Sequence, residues 1–293
     1  MRDAAIQSLA VGFFDGVHLG HQAILRGADG ALTFRNHPLT VLAPERAPRL
    51  IMSCEERVAV IRACGVRDVT VVEFTRELAE MPAEEFVDSF LTRQECRVPS
   101  VRCGANWRFG KGGAGDAEFL RERGFEVEVV PYAEYKGEAI SSSRIRAALE
   151  RGEIEDANAM LGREFQVSGV RFQGKGLGTK IGFPTVNLRI SERESCEYGE
   201  SPRIVLRRGV YEVEVGGLRG IANYGIAPTM GDKAWEEPVL EIHFPDAGVE
   251  DLRLETGDRA VVSLIRFIRP ERRFDSVADL QRQIAADCAT IRA

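Results

Sequence analysis

At 293 residues, 44% hydrophobic and 29% charged, the chain suits two domains of about 150 residues and excludes a disordered, collagenous or coiled-coil protein. Its net charge of −6, with −5 up to Leu161 and −1 beyond, lacks the basic excess that non-specific DNA or RNA binding needs, so no nucleic acid partner is expected. No apolar run reaches the roughly 20 residues of a membrane span, so no membrane partner is expected either.

Met1–Ala5 shows no signal-peptide layout and leads into a first apolar run at 6–11, which reads as a buried strand. Further strands are predicted at 31–34, 69–74, 98–102 and 125–130. A helix between the second and third has a capping box at Ser53 and Glu56 and a left-handed stop at Gly65. Helices at 82–91 and 116–123 complete a strand–helix alternation that argues for a parallel sheet covered by helices. Two short helices follow, at 142–151 and 154–161, ending at Gly162.

From Phe165 the pattern turns β-rich, with strands at 166–173, 185–189, 210–215, 218–223, 239–244 and 259–268 separated by Gly, Pro and charge clusters. That spacing suits a small antiparallel barrel. A closing helix is capped by Ser276 and Asp279 and carries the apolar stripe Val277, Leu280, Ile284, Cys288 and Ile291. Six scattered cysteines without a C-x-x-C pair read as reduced thiols of a cytoplasmic protein. Of four histidines, His18, His21 and His37 fall in the first 37 residues.

The densest local signal is Gly12-Phe13-Phe14-Asp15-Gly16-Val17-His18-Leu19-Gly20-His21. It follows a buried strand and opens a helix, so two histidines at i and i+3 meet free backbone N–H groups and the positive end of the dipole. Such a loop suits polyphosphate, with glycines permitting close approach; a glycine-rich turn bearing two solvated histidines is the other reading.

The segment resembles the HxGH signature of the nucleotidyltransferase superfamily, and most of all the FAD synthetase module of bifunctional prokaryotic riboflavin kinase/FMN adenylyltransferases. Thr33-Phe34-Arg35-Asn36-His37-Pro38 resembles that family's T-F-x-P-H-P, with Asn36 in place of the usual Pro. Gly104-Ala105-Asn106-Trp107-Arg108-Phe109-Gly110 resembles G-x-[DN]-F-x-F-G, and Ile140-Ser141-Ser142-Ser143-Arg144-Ile145-Arg146 resembles I-S-S-T-x-I-R. By resemblance His18 and His21 stabilise the phosphates in the transition state and Arg144 adds positive charge. Gly12, Phe14, Asp15, Gly16, Gly20, Asn106, Ser141 and Ser142 are then nucleotide contacts, and His37 and Pro38 flavin contacts. Only 22–32 separates His21 from the next strand, shorter than the family's usual crossover. Ala105-x4-Gly110-Lys111-Gly112 nearly spells a Walker A loop, but Gly112 replaces its Ser/Thr, and the segment reads as an ordinary loop.

Gly174-Lys175-Gly176-Leu177-Gly178-Thr179-Lys180-Ile181-Gly182-Phe183-Pro184-Thr185-Val186-Asn187 forms a flexible, electropositive arch of backbone N–H groups suited to phosphates. As composition alone it better fits a glycine-rich hairpin. Thr185 and Asn187 share one strand face and offer hard oxygens, which suit Mg²⁺. In 239–244, Leu240, Ile242 and Phe244 make an apolar face, leaving Glu241 and His243 on the other, which in isolation also describes a solvated strand face.

The arch resembles the G-x-P-T-x-N signature of riboflavin kinases, with Gln173 where His is usual. Leu161-Gly162-Arg163, Gly209-Val210-Tyr211, Asn223-Tyr224-Gly225-x2-Pro228-Thr229, Glu241-Ile242-His243 and Ile268-Arg269-Pro270-Glu271-x2-Phe274-Asp275-Ser276 extend that resemblance. It implies Glu241 as catalytic base and Gly174, Lys175, Gly178, Lys180 and Gly182 as nucleotide contacts. It further implies Arg269 and Phe274 beside the flavin, and Thr185 and Asn187 as Mg²⁺ ligands. The fold implied is an α/β nucleotidyltransferase of Rossmann-like parallel sheet over 1–160, then a small antiparallel barrel with a C-terminal helix over 161–293. The activity implied is riboflavin to FMN in the barrel and FMN to FAD in the α/β domain. ATP, riboflavin, FMN and FAD are the small molecules bound, with room for transient self-association. Two alternatives stay open: a kinase whose first domain is inactive or altered, and a flavin-binding regulator without turnover.

Overall fold

The structure, a computed structural model, describes residues 6–93, 96–97, 100–174, 176–190, 202–227 and 237–291. Two compact units divide the chain: Met1–Arg144 with Glu194–Arg203, and Ile145–Arg193 with Ile204–Ala293.

In the first unit, strands β1 (Ser8–Val11), β2 (Gly30–Phe34), β3 (Asp68–Val72), β4 (Ser100–Gly104) and β5 (Glu126–Val130) form one parallel sheet in the order β3-β2-β1-β4-β5. These are the predicted strands, although residues 98 and 99 of the fourth lie outside the described residues. The central strands are apolar throughout because both their faces are covered. Leu9, Val11 and Leu32 pack with Phe86, Leu91 and Leu120 on one side, while Ala10 and Ala31 pack with Ile24, Leu25 and Ile61 on the other.

Helix α1 (Leu19–Leu25) lies in the crossover from β1 to β2, and its 7 residues show how short that crossover is. Helix α2 (Cys54–Ala63) has both halves of the predicted capping box, and Gly65 takes a φ of +95° just beyond it. The helix predicted at 82–91 is α only over Ala83–Phe86 and widens to a π-helix over Val87–Leu91. That widening lets Phe86, Val87 and Leu91 all enter the core. Helix α3 (Ala117–Glu122) is capped by Asp116. The order of strand addition reverses between β1 and β4, which opens a crevice at their carboxyl ends. Gly12 and Ala105 leave the sheet at that point.

The division between units falls within α4 (Ser142–Arg151), which is followed by α5 (Ile154–Leu161) and a left-handed Gly162. Six antiparallel strands then close a barrel: β6 (Phe165–Phe172), β7 (Val186–Ile190), β8 (Gly209–Val215), β9 (Leu218–Ala227), β10 (Glu237–His243) and β11 (Arg259–Pro270), in the order β6-β7-β10-β9-β8-β11. Val186, Leu188, Leu240 and Ile242 fill its interior. By alternation Asn187 and Glu241 lie on the outer face.

Two expectations are corrected. The arch is not a loop throughout: Leu177–Lys180 winds into a helical turn, α6, entered from a left-handed Gly176. The closing helix, α7 (Val277–Cys288), does not bury a purely apolar stripe. Val277 is 58% exposed, whereas Asp287 is buried, because β11 sends it a guanidinium to neutralise. Among the cysteines, Cys54, Cys64, Cys103 and Cys288 are free thiols. Residues 192–201, Pro228 and Thr229 lie outside the described residues.

Candidate active sites

The loop after β1 is held in a strained course. Phe14 and Val17 both take positive φ, 59° and 39°, although neither is glycine, and both are buried. Such backbone persists only where its surroundings over-determine it, and it clusters at ligand sites. Gly12 has no room for a side chain, since a Cβ there would lie 2.8 Å from the Phe14 ring.

His18 caps α1 with its ring: Nδ1 accepts from the His21 backbone N–H at 3.3 Å. In the neutral ring this leaves the proton on Nε2. The His18 and His21 rings stack at 3.6 Å, and a Cβ on Gly20 would press on His18 at 3.2 Å, so H-x-G-H is a packing requirement as well as a set of donors. His21 Nδ1 is buried with no hydrogen-bond partner among the described residues. Burial first, then electrostatic interaction with His18 and with Arg57, holds the His21 pKa well below its ordinary 6.5, so the ring is neutral at pH 7.

The other motif residues divide between this loop and its supports. Ser142 donates to the Asp15 carbonyl oxygen at 2.9 Å, which joins the start of α4 to the histidine loop. Ser141 accepts from the Arg144 N–H at 3.3 Å. The Asp15 carboxylate faces inward and accepts from Ile51 N–H at 3.1 Å. Arg144 reaches the carbonyls of Tyr135, Glu138 and Ala139 at 2.8–3.1 Å, in the hairpin Glu134–Tyr135/Glu138–Ala139. His37 accepts from Leu39 N–H at 3.1 Å and meets Phe13 edge-on at 4.9 Å; Pro38 is half-buried beside it. Asn106 stands exposed in the turn after β4. Lys111 of the Walker-like segment pairs with Glu80 at 2.6 Å.

Asn36, the departure from T-F-x-P-H-P, is buried and exchanges two 2.9 Å hydrogen bonds with the Phe74 backbone. One residue escaped the sequence reading. Arg57 of α2 is wholly buried, donates to the Phe34 and Arg35 carbonyls and stacks over Phe13 at 4.3 Å. In the sequence it follows Glu55 and Glu56, and no local signal sets it apart from a solvated charge.

In the barrel, the glycines let the backbone of the arch close onto the proposed ligands. A Cβ on Gly174 would lie 2.5 Å from the Asn187 amide, and one on Gly178 would lie 2.3 Å from the Phe183 carbonyl and 3.2 Å from the Thr185 hydroxyl. Gly182 turns the chain out at a φ of 84°; Lys180 is exposed, and Lys175 lies outside the described residues. Pairing register sets Asn187, Glu241 and Asn223 side by side across β7, β10 and β9. Partial desolvation, followed by repulsion from Glu271, raises the Glu241 pKa above its ordinary value. His243 hydrogen-bonds the Pro184 carbonyl through Nδ1 at 2.9 Å. Arg269 lies near the Phe274 ring, 5.8 Å from its centroid, and is held by Asp287 at 2.7 Å, a partner that periodicity hid inside an apolar stripe.

A parallel sheet with a histidine loop at its switch point, fused to a closed barrel with a glycine arch, defines a nucleotidyltransferase joined to a small barrel kinase. The FAD synthetase family model matches residues 2–144, and the riboflavin kinase model matches 161–293. A bifunctional riboflavin kinase/FMN adenylyltransferase of Escherichia coli K12 is 34% identical, over 97% of this chain and 91% of its own. That of Bacillus subtilis is 30% identical, over 95% and 89%. A crystal structure from Streptococcus pneumoniae named a macrolide-efflux protein aligns at a TM-score of 0.78 and 27% identity, over 97% of this chain and 93% of that one. Among the described residues no helix is long and apolar enough to cross a membrane. The chain belongs to the bifunctional riboflavin kinase/FMN adenylyltransferase family.

Proposed function

We propose that the chain makes FAD from riboflavin in two ATP-dependent steps, with residues 161–293 as riboflavin kinase and 1–160 as FMN adenylyltransferase, acting in the cytoplasm on small molecules. The observation that carries this is 34% identity across 97% of the chain to a bifunctional enzyme, with both histidines and the T-x-N and E-x-H residues in place.

In the kinase step Glu241 accepts the proton of the ribityl 5′-hydroxyl as that oxygen attacks the γ-phosphate of ATP. Its pKa, raised above the ordinary carboxylate value, makes it a stronger base than an unperturbed carboxylate. The arch, through Gly174, Lys175, Gly178, Lys180 and Gly182, cradles the phosphates, and Arg269 and Phe274 meet the flavin ring. Thr185 and Asn187 fit Mg²⁺: both present neutral hard oxygens in a cradle that a Cβ at Gly174 or Gly178 would fill. Bound there with ATP, the cation neutralises phosphate charge.

In the adenylyl step the FMN phosphate attacks the α-phosphate of ATP and pyrophosphate leaves. Catalysis is positioning and charge stabilisation, without a covalent intermediate. His18 Nε2–H and neutral His21 donate to phosphate oxygens beside Gly12, Phe14, Gly16 and Gly20. Asp15 and Ser142 hold that loop in shape, Ser141 caps the start of α4, and Arg144 adds positive charge. Asn106 reaches a phosphate from β4, and His37 and Pro38 border the flavin.

Incubation with riboflavin, ATP and Mg²⁺ tests the proposal. FMN should appear first and FAD second; FMN alone would mean an inactive first unit, and neither product would mean binding without turnover.

A further inference from the structure

Helix α7 touches the kinase site at two places six residues apart. Asp287 is only 2% exposed. Its carboxylate accepts from Arg269 Nε at 3.0 Å, from Arg269 Nη2 at 2.7 Å and from Gln283 at 2.7 Å. Arg269 Nη1 goes to the Pro270 carbonyl at 3.1 Å, so the whole guanidinium is fixed in orientation beside Phe274. Nearer the start of α7, Gln281 Nε2 donates to the Ile181 carbonyl at 3.0 Å. Ile181 ends α6, its own N–H accepted by Leu177 and Gly178. Beyond it the left-handed Gly182 releases the chain toward Thr185. One helix thus grips an arginine at the flavin side and the glycine arch at the nucleotide side.

We propose that α7 is the substrate-positioning helix of the kinase, with Asp287 fixing Arg269 for the flavin and Gln281 fixing the arch for the nucleotide phosphates. This rests on the assignment of Arg269 and the arch made above. Both are positioning residues, since neither has to touch substrate. A bidentate charge-assisted pair selects one guanidinium orientation out of many, and a donor to the last carbonyl of a four-residue turn restrains a segment that four nearby glycines leave loose.

The test is a crossed pair of isosteric variants in the full chain. Asp287→Asn removes the charge that orients Arg269 and should raise the KM for riboflavin by about 10-fold, with the KM for MgATP changed by less than about two-fold. Gln281→Glu removes the donor and should do the reverse. Riboflavin binding without nucleotide, read by quenching of flavin fluorescence, should weaken in the first variant and hold in the second. If each variant raises both KM values alike, α7 is only a structural brace and the proposal fails. Should Asp287→Asn not fold, Asp287→Glu keeps the charge but displaces the guanidinium. A rise in riboflavin KM alone then supports the proposal, and no rise overturns it. Arg269→Lys separates the underlying assignment: an unchanged riboflavin KM there refutes Arg269 as a flavin contact, whereas a raised one with both Asp287 variants silent refutes only the positioning role.

Discussion

The two candidate sites are built by opposite means. In the first unit the motif residues are largely spent on one another: His18 caps the helix that carries His21, Asp15 holds Ile51, and Arg144 serves a hairpin. What remains for a ligand is a strained, preorganised loop with its donors already aimed. In the barrel the motif residues stand on a strand face, and glycines let the backbone of the arch close down onto them. One site is specified by internal bonds, the other by close backbone approach. A loop without a regular partner must make its own scaffold, whereas a strand in a closed barrel is already rigid and needs only a covering segment that can approach it closely.

That contrast can be broken or sharpened by substitution. The largest effect belongs to Glu241→Gln, which keeps size but cannot take a proton; FMN formation should fall by about 10²–10⁴-fold. FAD formation from supplied FMN should be untouched. In the parent enzyme kinase kcat/KM should rise with pH through the raised Glu241 pKa, and that limb should vanish in the variant. A loss of only a few-fold would mark a loose transition state in which Glu241 merely positions. Next comes His21→Ala, expected to cut FAD formation by about 10²–10³-fold with FMN formation intact; equal loss of both in a folded protein would defeat the separation. Thr185→Ala and Asn187→Ala should each raise the Mg²⁺ concentration needed for half-maximal kinase turnover. Parental metal dependence in either variant would disprove that residue's assignment.

The smallest effect is on stability. Because the folded His21 pKa is depressed, the unfolded chain binds a proton that the folded one does not as pH falls through the ordinary value near 6.5. Stability of the first unit therefore drops on acidification below that point, by about 3–5 °C in Tm per pH unit at most. His21→Asn should flatten that slope in thermal melts between pH 7.5 and 5.5.

How much was legible followed from the range of each interaction. Period-two alternation placed Glu241 on the outer face, and Ser53 with Glu56 and Gly162 marked helix ends, because these signals are local. Buried polar residues with distant partners were not legible. Asn36 meets Phe74 across 38 residues, and Arg57 answers carbonyls at the end of β2. Asp287 enters the buried face of α7 only because Arg269, 18 residues earlier, is there to meet it. The helical turn in the arch was hidden because glycine composition signals freedom, and only the fold shows how the chain uses it.

The central claim, two separable sites in one chain, is tested most directly by mixing two defective enzymes. With riboflavin and MgATP, Glu241→Gln alone should form almost no FMN, and His21→Ala alone should stop at FMN. Their mixture should make FAD, because FMN released by one is adenylylated by the other. If instead, in folded variants, Glu241→Gln cannot turn supplied FMN into FAD or His21→Ala cannot form FMN, so that the mixture makes no FAD, the two sites are not separable and the claim fails.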